Sequence, residues 1–182
     1  KPLVVGVPVN LRQYFPSDSA RNFFSMTFVS QDYSHETPSF EDLIQTVKES
    51  FQKNLTKENL SVAINGYMAA ERNVAARLTP LFLKDVCLHY AYRIAEMQST
   101  AAFSNIGRVE VSEKILPYIA SFDICAATDK LQLCTCTFGD CLSMSFTSPF
   151  ISSDIERHFF RRLAESGIDV TVASNDSGGD IV

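Results

Sequence analysis

The sequence predicts an α+β fold, of mixed α/β character, in which helices pack on one sheet. Short β-rich runs at both ends of the chain flank a central region with helical periodicity. With 182 residues, 46% of them hydrophobic and 20% charged, the chain is long enough to bury one sizeable core. We therefore expect a single lobe over residues 1–174 and a flexible tail over residues 175–182, which is rich in serine, glycine and aspartate.

Two strands begin the predicted sheet. Residues 3–9 and residues 23–29 are rich in valine and phenylalanine, which favour strands. The first run follows Lys1 and Pro2 directly, without an initiator methionine. We therefore expect that the sequence begins inside a longer protein.

Three helices are predicted next. Residues 40–51 and residues 59–78 place apolar side chains three and four positions apart, the spacing of one helix face. Ser39 and Asp42 predict a capping box for the first of them. A third helix starts at Pro80, because proline is tolerated in a first helical turn, and its apolar residues predict a buried stripe.

The C-terminal part returns to strands. Four runs of alternating or β-rich residues predict an antiparallel meander, over residues 101–106, 121–127, 131–138 and 141–147. Gly139 marks a tight turn within it. Ser153 and Glu156 predict a capping box for a helix that stops at Gly167, and residues 168–172 predict a last strand.

Charge and cysteine content limit the partners and the compartment. The net charge is −5, from 16 basic and 21 acidic residues, and the basic residues are scattered. This pattern argues against nucleic acid or an anionic membrane as the main partner. No apolar run approaches the roughly 18 to 20 residues of a membrane span. Five cysteines, an odd number, suit a reducing compartment, so we expect a cytoplasmic protein.

No residue carries a recognisable catalytic or metal motif. His35, His89 and His158 lack a neighbour that would make any of them a general base, and we interpret them as ordinary histidines. Cys134 and Cys136 are two positions apart and point to one face of a strand, unlike zinc knuckles. We therefore predict no metal site and interpret the whole C-terminal cluster as small buried thiols, namely Cys125, Cys134, Cys136 and Cys141.

Two short motifs combine strand ends with polar side chains. The first is Pro8-Val9-Asn10-Leu11-Arg12 and the second is Ser104-Asn105-Ile106-Gly107. A hydroxyl and an amide beside a glycine could present hydrogen-bond donors to a ligand. The alternative is a strand end or bulge that is closed by side-chain hydrogen bonds.

The two motifs, in this order and at this distance, resemble the second half of an acyltransferase superfamily. That superfamily includes chloramphenicol acetyltransferases, alcohol acetyltransferases, wax ester synthases and peptide-synthetase condensation domains. The resemblance implies one lobe of a two-lobe fold with the reaction centre in a tunnel between the lobes. It also implies a histidine base, from a His-His-x-x-x-Asp-Gly motif, that activates an alcohol or amine to attack the thioester of coenzyme A or a phosphopantetheine carrier.

The resemblance assigns no catalytic residue to this chain, because no adjacent histidines occur in it. The base is expected upstream of Lys1, and the lobe alone is expected to be inactive. Ser104 and Asn105 are the expected substrate-tunnel residues. The expected structural residues of the motifs are Asn10, Arg12 and Gly107.

The resemblance also names the expected partners. They are the missing N-terminal lobe, the acyl thioester as co-substrate and the alcohol or amine acceptor, with no tightly bound cofactor. Exposed lobe surface is expected to favour self-association. Two alternatives stay open: a non-catalytic binding or scaffolding module of the same fold, and part of a condensation domain. The plant-type Asp-Phe-Gly-Trp-Gly motif is absent, since the chain has no tryptophan.

Overall fold

The structure, a computed structural model, describes residues 2–34 and 37–175. The chain divides into two compact units, Lys1–Ser148 and Pro149–Val182. The single lobe over residues 1–174 stays a prediction. The predicted tail lies outside the described residues, apart from residue 175.

The first unit contains one five-stranded mixed sheet with the strand order β2-β1-β3-β4-β5. The two outer pairs, β1 with β2 and β4 with β5, are antiparallel, whereas β1 with β3 and β3 with β4 are parallel. The strands are β1 (Leu3–Asn10), β2 (Phe24–Gln31), β3 (Ala101–Arg108), β4 (Leu131–Phe138) and β5 (Cys141–Thr147). One sheet with helices confirms the predicted α+β class.

Four helices connect β2 to β3, and one more follows in the second unit. They are α1 (Phe40–Asn54), α2 (Lys57–Arg72), α3 (Val74–Leu78), α4 (Leu81–Glu96) and α5 (Asp154–Glu165). The capping box at α1 is confirmed: Ser39 Oγ accepts from the Asp42 N–H at 3.2 Å, and Asp42 Oδ2 accepts from the Ser39 N–H at 3.2 Å. The single helix predicted over residues 59–78 is wrong, because Asn73 is extended (φ −62°, ψ 117°) and separates α2 from α3.

Of the predicted antiparallel meander, the hairpin of β4 and β5 is confirmed and the rest is wrong. The β3–β4 pair is parallel, and residues 121–127 form no strand. The Phe122 ring instead packs edge-to-face on Phe138, with 5.0 Å between the ring centroids, and the Phe122 carbonyl accepts from the Cys136 thiol at 3.2 Å. This segment therefore lies against β4 through side-chain contacts instead of pairing with it.

The second unit contains α5 and no strand among its described residues, so the last strand predicted over residues 168–172 is wrong. The capping box from Ser153 to Glu156 is wrong as well, since the Ser153 side chain makes no capping hydrogen bond. Ser152 Oγ instead accepts from the Asp154 N–H at 3.3 Å and donates to the Asp154 carboxylate at 2.6 Å. The helix still ends where predicted, before Gly167 at φ +82°.

The first unit buries few side chains and exposes much apolar surface. Leu11, Leu60, Cys134 and Cys136 are the buried apolar residues among those described. The stripe predicted to be buried on α4 is exposed, so that prediction is wrong: Val86, Tyr90, Ile94 and Met97 are each at least half exposed. A helix that is apolar on most sides normally packs against other elements, so α4 presents surface suited to a partner. None of the described helices has both the length and the apolar character of a membrane span.

Candidate functional site

Backbone pairing between the parallel strands β1 and β3 stops after two residue pairs. Each strand has eight residues, yet they pair only at Val5 with Ala101 and at Gly6 with Ala102. Beyond these pairs β1 stays in register with β2 as far as Asn10, and β3 stays in register with β4 as far as Arg108. We call this unpaired region, between residues 7–10 and residues 103–108, the β1–β3 split.

The structure brings the two sequence motifs to opposite sides of this split. If the β1–β3 register continued, Pro8 would lie level with Ser104. Both motifs therefore lie at the carboxyl ends of neighbouring parallel strands, which is where open α/β sheets commonly bind ligands. We take the β1–β3 split as the candidate site.

The β1 side of the split is held by side-chain hydrogen bonds to the backbone. Asn10 Oδ1 accepts from the Arg12 N–H at 3.1 Å and caps a short 3-10 turn over Leu11–Gln13. Arg12 Nη2 donates to the carbonyl oxygens of Ser19 at 2.5 Å and Arg21 at 2.7 Å. The guanidinium therefore fastens the loop between β1 and β2 against the end of β1.

The β3 side contains a bulge. The register between β3 and β4 shifts between Asn105 and Gly107. Asn105 Oδ1 accepts from the Gly107 N–H at 2.9 Å, and Gly107 has φ +85°, a conformation that side chains other than glycine rarely adopt. The glycine is thus required by the bulge itself.

The two predicted tunnel residues do not share a face of the sheet. Ser104 and Asn105 are neighbours in β3, so their side chains point to opposite faces. Ser104 is half-buried and Asn105 is exposed. The Asn105 side-chain oxygen accepts a hydrogen bond from the Gly107 N–H, and the side-chain amide nitrogen carries two further N–H donors.

The structure describes two of the three histidines, and neither belongs to β1 or β3. His89 is exposed on α4 beside Tyr90, on a shallow groove of about 420 Å³ that α4 residues line. His158 lies in the second unit, where its Nδ1 contacts the Asp154 carbonyl oxygen at 2.7 Å. His35 lies outside the described residues.

All five cysteines are free thiols. Cys134 and Cys136 are buried, as predicted, but Cys125 and Cys141 are exposed, so the buried-thiol interpretation is wrong for those two. Burial, with a smaller contribution from the Asp123 carboxylate, raises the pKa of the Cys136 thiol above its usual value. Within residues 2–34 and 37–175, no three His, Cys, Asp or Glu side chains are grouped to hold a metal ion.

A second feature, which the sequence analysis missed, is a cavity of about 260 Å³ lined by residues of β2 and of the α1–α2 region. Ser25 and Thr27 line it and are 4% and 5% exposed. Their hydroxyl oxygens are buried and have no hydrogen-bond partner. These polar residues alternate with Met26 and Phe28, which is the pattern of a strand whose polar face meets solvent, so the sequence carries no signal for this burial.

Comparison of the chain with protein-family models, with curated proteins and with solved structures finds no match.

Proposed function

We propose that this chain is the C-terminal lobe of an acyltransferase that moves an acyl group from a coenzyme A or phosphopantetheine thioester to an alcohol or amine. The observation that carries the proposal is the β1–β3 split, because the two strands are unpaired between the two motifs. The Ser104 and Asn105 side chains lie on one side of it, and Asn10 and Arg12 lie on the other.

The chemistry of a phosphopantetheine arm suits such an opening. The arm is an extended chain with two secondary amides, and each amide has one N–H donor and one C=O acceptor. Paired strands lie about 4.8 Å apart, and a strand edge without a neighbour presents the same donors and acceptors to an extended ligand. An arm in the split could therefore hydrogen-bond with the edges of β1 and β3, much as a short strand would.

The polar side chains of β3 suit the reacting end of the arm. When an alcohol or amine attacks the thioester, the carbonyl oxygen gains negative charge and the carbon–sulfur bond then breaks to release the thiol. Donors that are already positioned stabilise that charge. Ser104 Oγ and Asn105 Nδ2 are the side-chain donors that the second motif offers for this role, and because they point to opposite faces of the sheet, only one of them can serve a given carbonyl oxygen.

The proposal assigns the base that deprotonates the acceptor to a partner lobe. The exposed apolar surface of α4 supports such a partner, since Phe82 is 73% exposed and Ile94 is 62% exposed. The proposal also includes a cytoplasmic location, which the five free thiols support.

Thiol release by the full-length protein tests the proposal. With acetyl-coenzyme A and a panel of alcohols and amines, we expect thiol release that depends on an acceptor. Because the two side chains point to opposite faces, we expect one of Asn105→Ala and Ser104→Ala to lower kcat by about 100-fold or more, as removal of an oxyanion donor does, and the other to have a small effect. Ser30→Ala, at an exposed position of β2, is the matched control and should leave kcat unchanged.

Two outcomes would count against the proposal. A folded full-length protein that releases no thiol with either acceptor class contradicts an acyltransferase. If that protein still binds coenzyme A, the non-catalytic binding module is the better interpretation.

A further inference from the structure

Pro8 lies within β1, at the point where β1 and β3 stop pairing. The last β1–β3 pair joins Gly6 to Ala102, two residues before the proline. Proline has no backbone N–H, so it interrupts a ladder only if that N–H would have pointed toward the neighbouring strand. The direction in which position 8 faces therefore decides whether Pro8 causes the split.

Two hydrogen bonds fix this direction. The Leu11 N–H donates to the Phe23 carbonyl at 3.1 Å, so odd-numbered residues at this end of β1 direct their backbone groups toward β2. At the other end, the Val4 carbonyl accepts from the Thr100 N–H at 2.7 Å, and the Val4 N–H donates to Thr100 Oγ1 at 3.1 Å. Even-numbered residues of β1, Pro8 included, thus direct their backbone groups toward β3.

The parallel ladder therefore stops for lack of one donor. After the pair of Gly6 and Ala102, the next hydrogen bond of a parallel ladder would run from an N–H at position 8 to the carbonyl oxygen of Phe103. Pro8 cannot donate it. The following bond, from the Asn105 N–H to the carbonyl at position 8, would form only if that first bond brought the two strands together.

We infer that Pro8 is the positioning residue that holds the β1–β3 split open. By removing one donor it leaves the Phe103 carbonyl and the Asn105 N–H without a partner on β1. These two groups face the space that the proposed function assigns to the thioester arm. The inference about the ligand rests on that proposed function, whereas the inference about the strands does not.

Hydrogen exchange of the full-length protein separates the two parts. In Pro8→Val the new backbone N–H at position 8 should donate to the Phe103 carbonyl. The backbone N–H of Asn105 should then donate to the carbonyl at position 8. We expect both amides to exchange about tenfold more slowly than exposed amides, or slower still, as hydrogen bonds of a strand ladder do. Pro16→Val is the matched control, because it removes an exposed loop proline and adds no donor to the split.

The binding of coenzyme A, measured by calorimetry, supplies the second readout. We expect Pro8→Val to lose at least about tenfold in affinity while its melting temperature stays the same or rises. A residue with only a structural role would lower affinity and melting temperature together. Pro16→Val should keep the affinity of the unsubstituted protein.

Each result bears on one part of the inference. Fast exchange of the new amide in a folded Pro8→Val protein overturns the role of Pro8, and Pro8→Ala repeats the test with a smaller side chain if the valine variant does not fold. Protection of the new amide with unchanged affinity for coenzyme A overturns the link between the split and the ligand. Failure of the unsubstituted protein to bind coenzyme A counts against the proposed function and leaves the exchange result valid.

Discussion

Replacing Thr27 by valine should stabilise the protein, although it removes a polar group from a strand. The Thr27 side chain is 5% exposed, and its hydroxyl oxygen is buried without a hydrogen-bond partner. A buried polar group that is left unsatisfied costs about 1–3 kcal/mol, whereas an apolar group of the same shape carries no such cost. Valine has nearly the shape of threonine, so we expect Thr27→Val to raise the free energy of unfolding by about 1 kcal/mol.

Thermal and urea unfolding measure this change. For a chain of 150–250 residues, about 1 kcal/mol corresponds to roughly 2–4 °C in melting temperature. Thr135→Val is the matched control. Thr135 is 7% exposed in β4, but its hydroxyl oxygen is not both buried and without a hydrogen-bond partner. We expect no gain from that substitution.

A fall in the melting temperature of Thr27→Val would refute this reasoning. It would mean that the hydroxyl is satisfied in solution, for example by water in the adjoining cavity of about 260 Å³. Ser25→Ala removes the neighbouring unpartnered hydroxyl and should change stability in the same direction as Thr27→Val.

Two further pairs of variants test the local structure. Gly107→Ala should lose about 1–2 kcal/mol because φ is +85° there, whereas Gly66→Ala, in open space within α2, should gain about 0.5–1 kcal/mol; urea unfolding compares them. Ser39→Ala should lose about 1 kcal/mol with the capping box of α1, measured in the same way. Ser153→Ala should leave the free energy of unfolding nearly unchanged, because that side chain makes no capping hydrogen bond. An equal loss of stability in Ser39→Ala and Ser153→Ala would contradict the assignment of the cap to Ser39 alone.

The sequence predicted correctly those features that depend on residues close together along the chain. The alternating runs of β4 and β5 and the turn at Gly139, which has φ +58°, form the predicted hairpin. The capping box at Ser39 depends on two residues three positions apart, and it is present as predicted.

Features that depend on distant residues were missed. Alternation indicates that β3 and β4 are strands, but it carries no information on whether they pair in parallel. Residues 121–127 have a strand-like pattern, yet the packing of Phe122 on Phe138 holds them outside the sheet. The apolar spacing of α4 predicts burial, but most of its large apolar side chains are exposed.

The sequence predicted the residues of the candidate site but not their arrangement. The motifs around Asn10 and Ser104 were identified, but not the split that separates them. A signal for the split was present, since Pro8 lies inside a strand-like run and proline interrupts the ladder on one side of a strand. Which side it interrupts depends on the pairing with β2, and the sequence alone does not give that pairing.

We propose above that the β1–β3 split receives an acyl-thioester arm. Hydrogen exchange of the full-length protein with and without saturating acetyl-coenzyme A tests it most directly. We expect slower exchange of the backbone amides of Asn10 and of residues 103–108 when the ligand is present, with β5 unchanged. Protection that appears only elsewhere, or no protection although acetyl-coenzyme A binds, would contradict it.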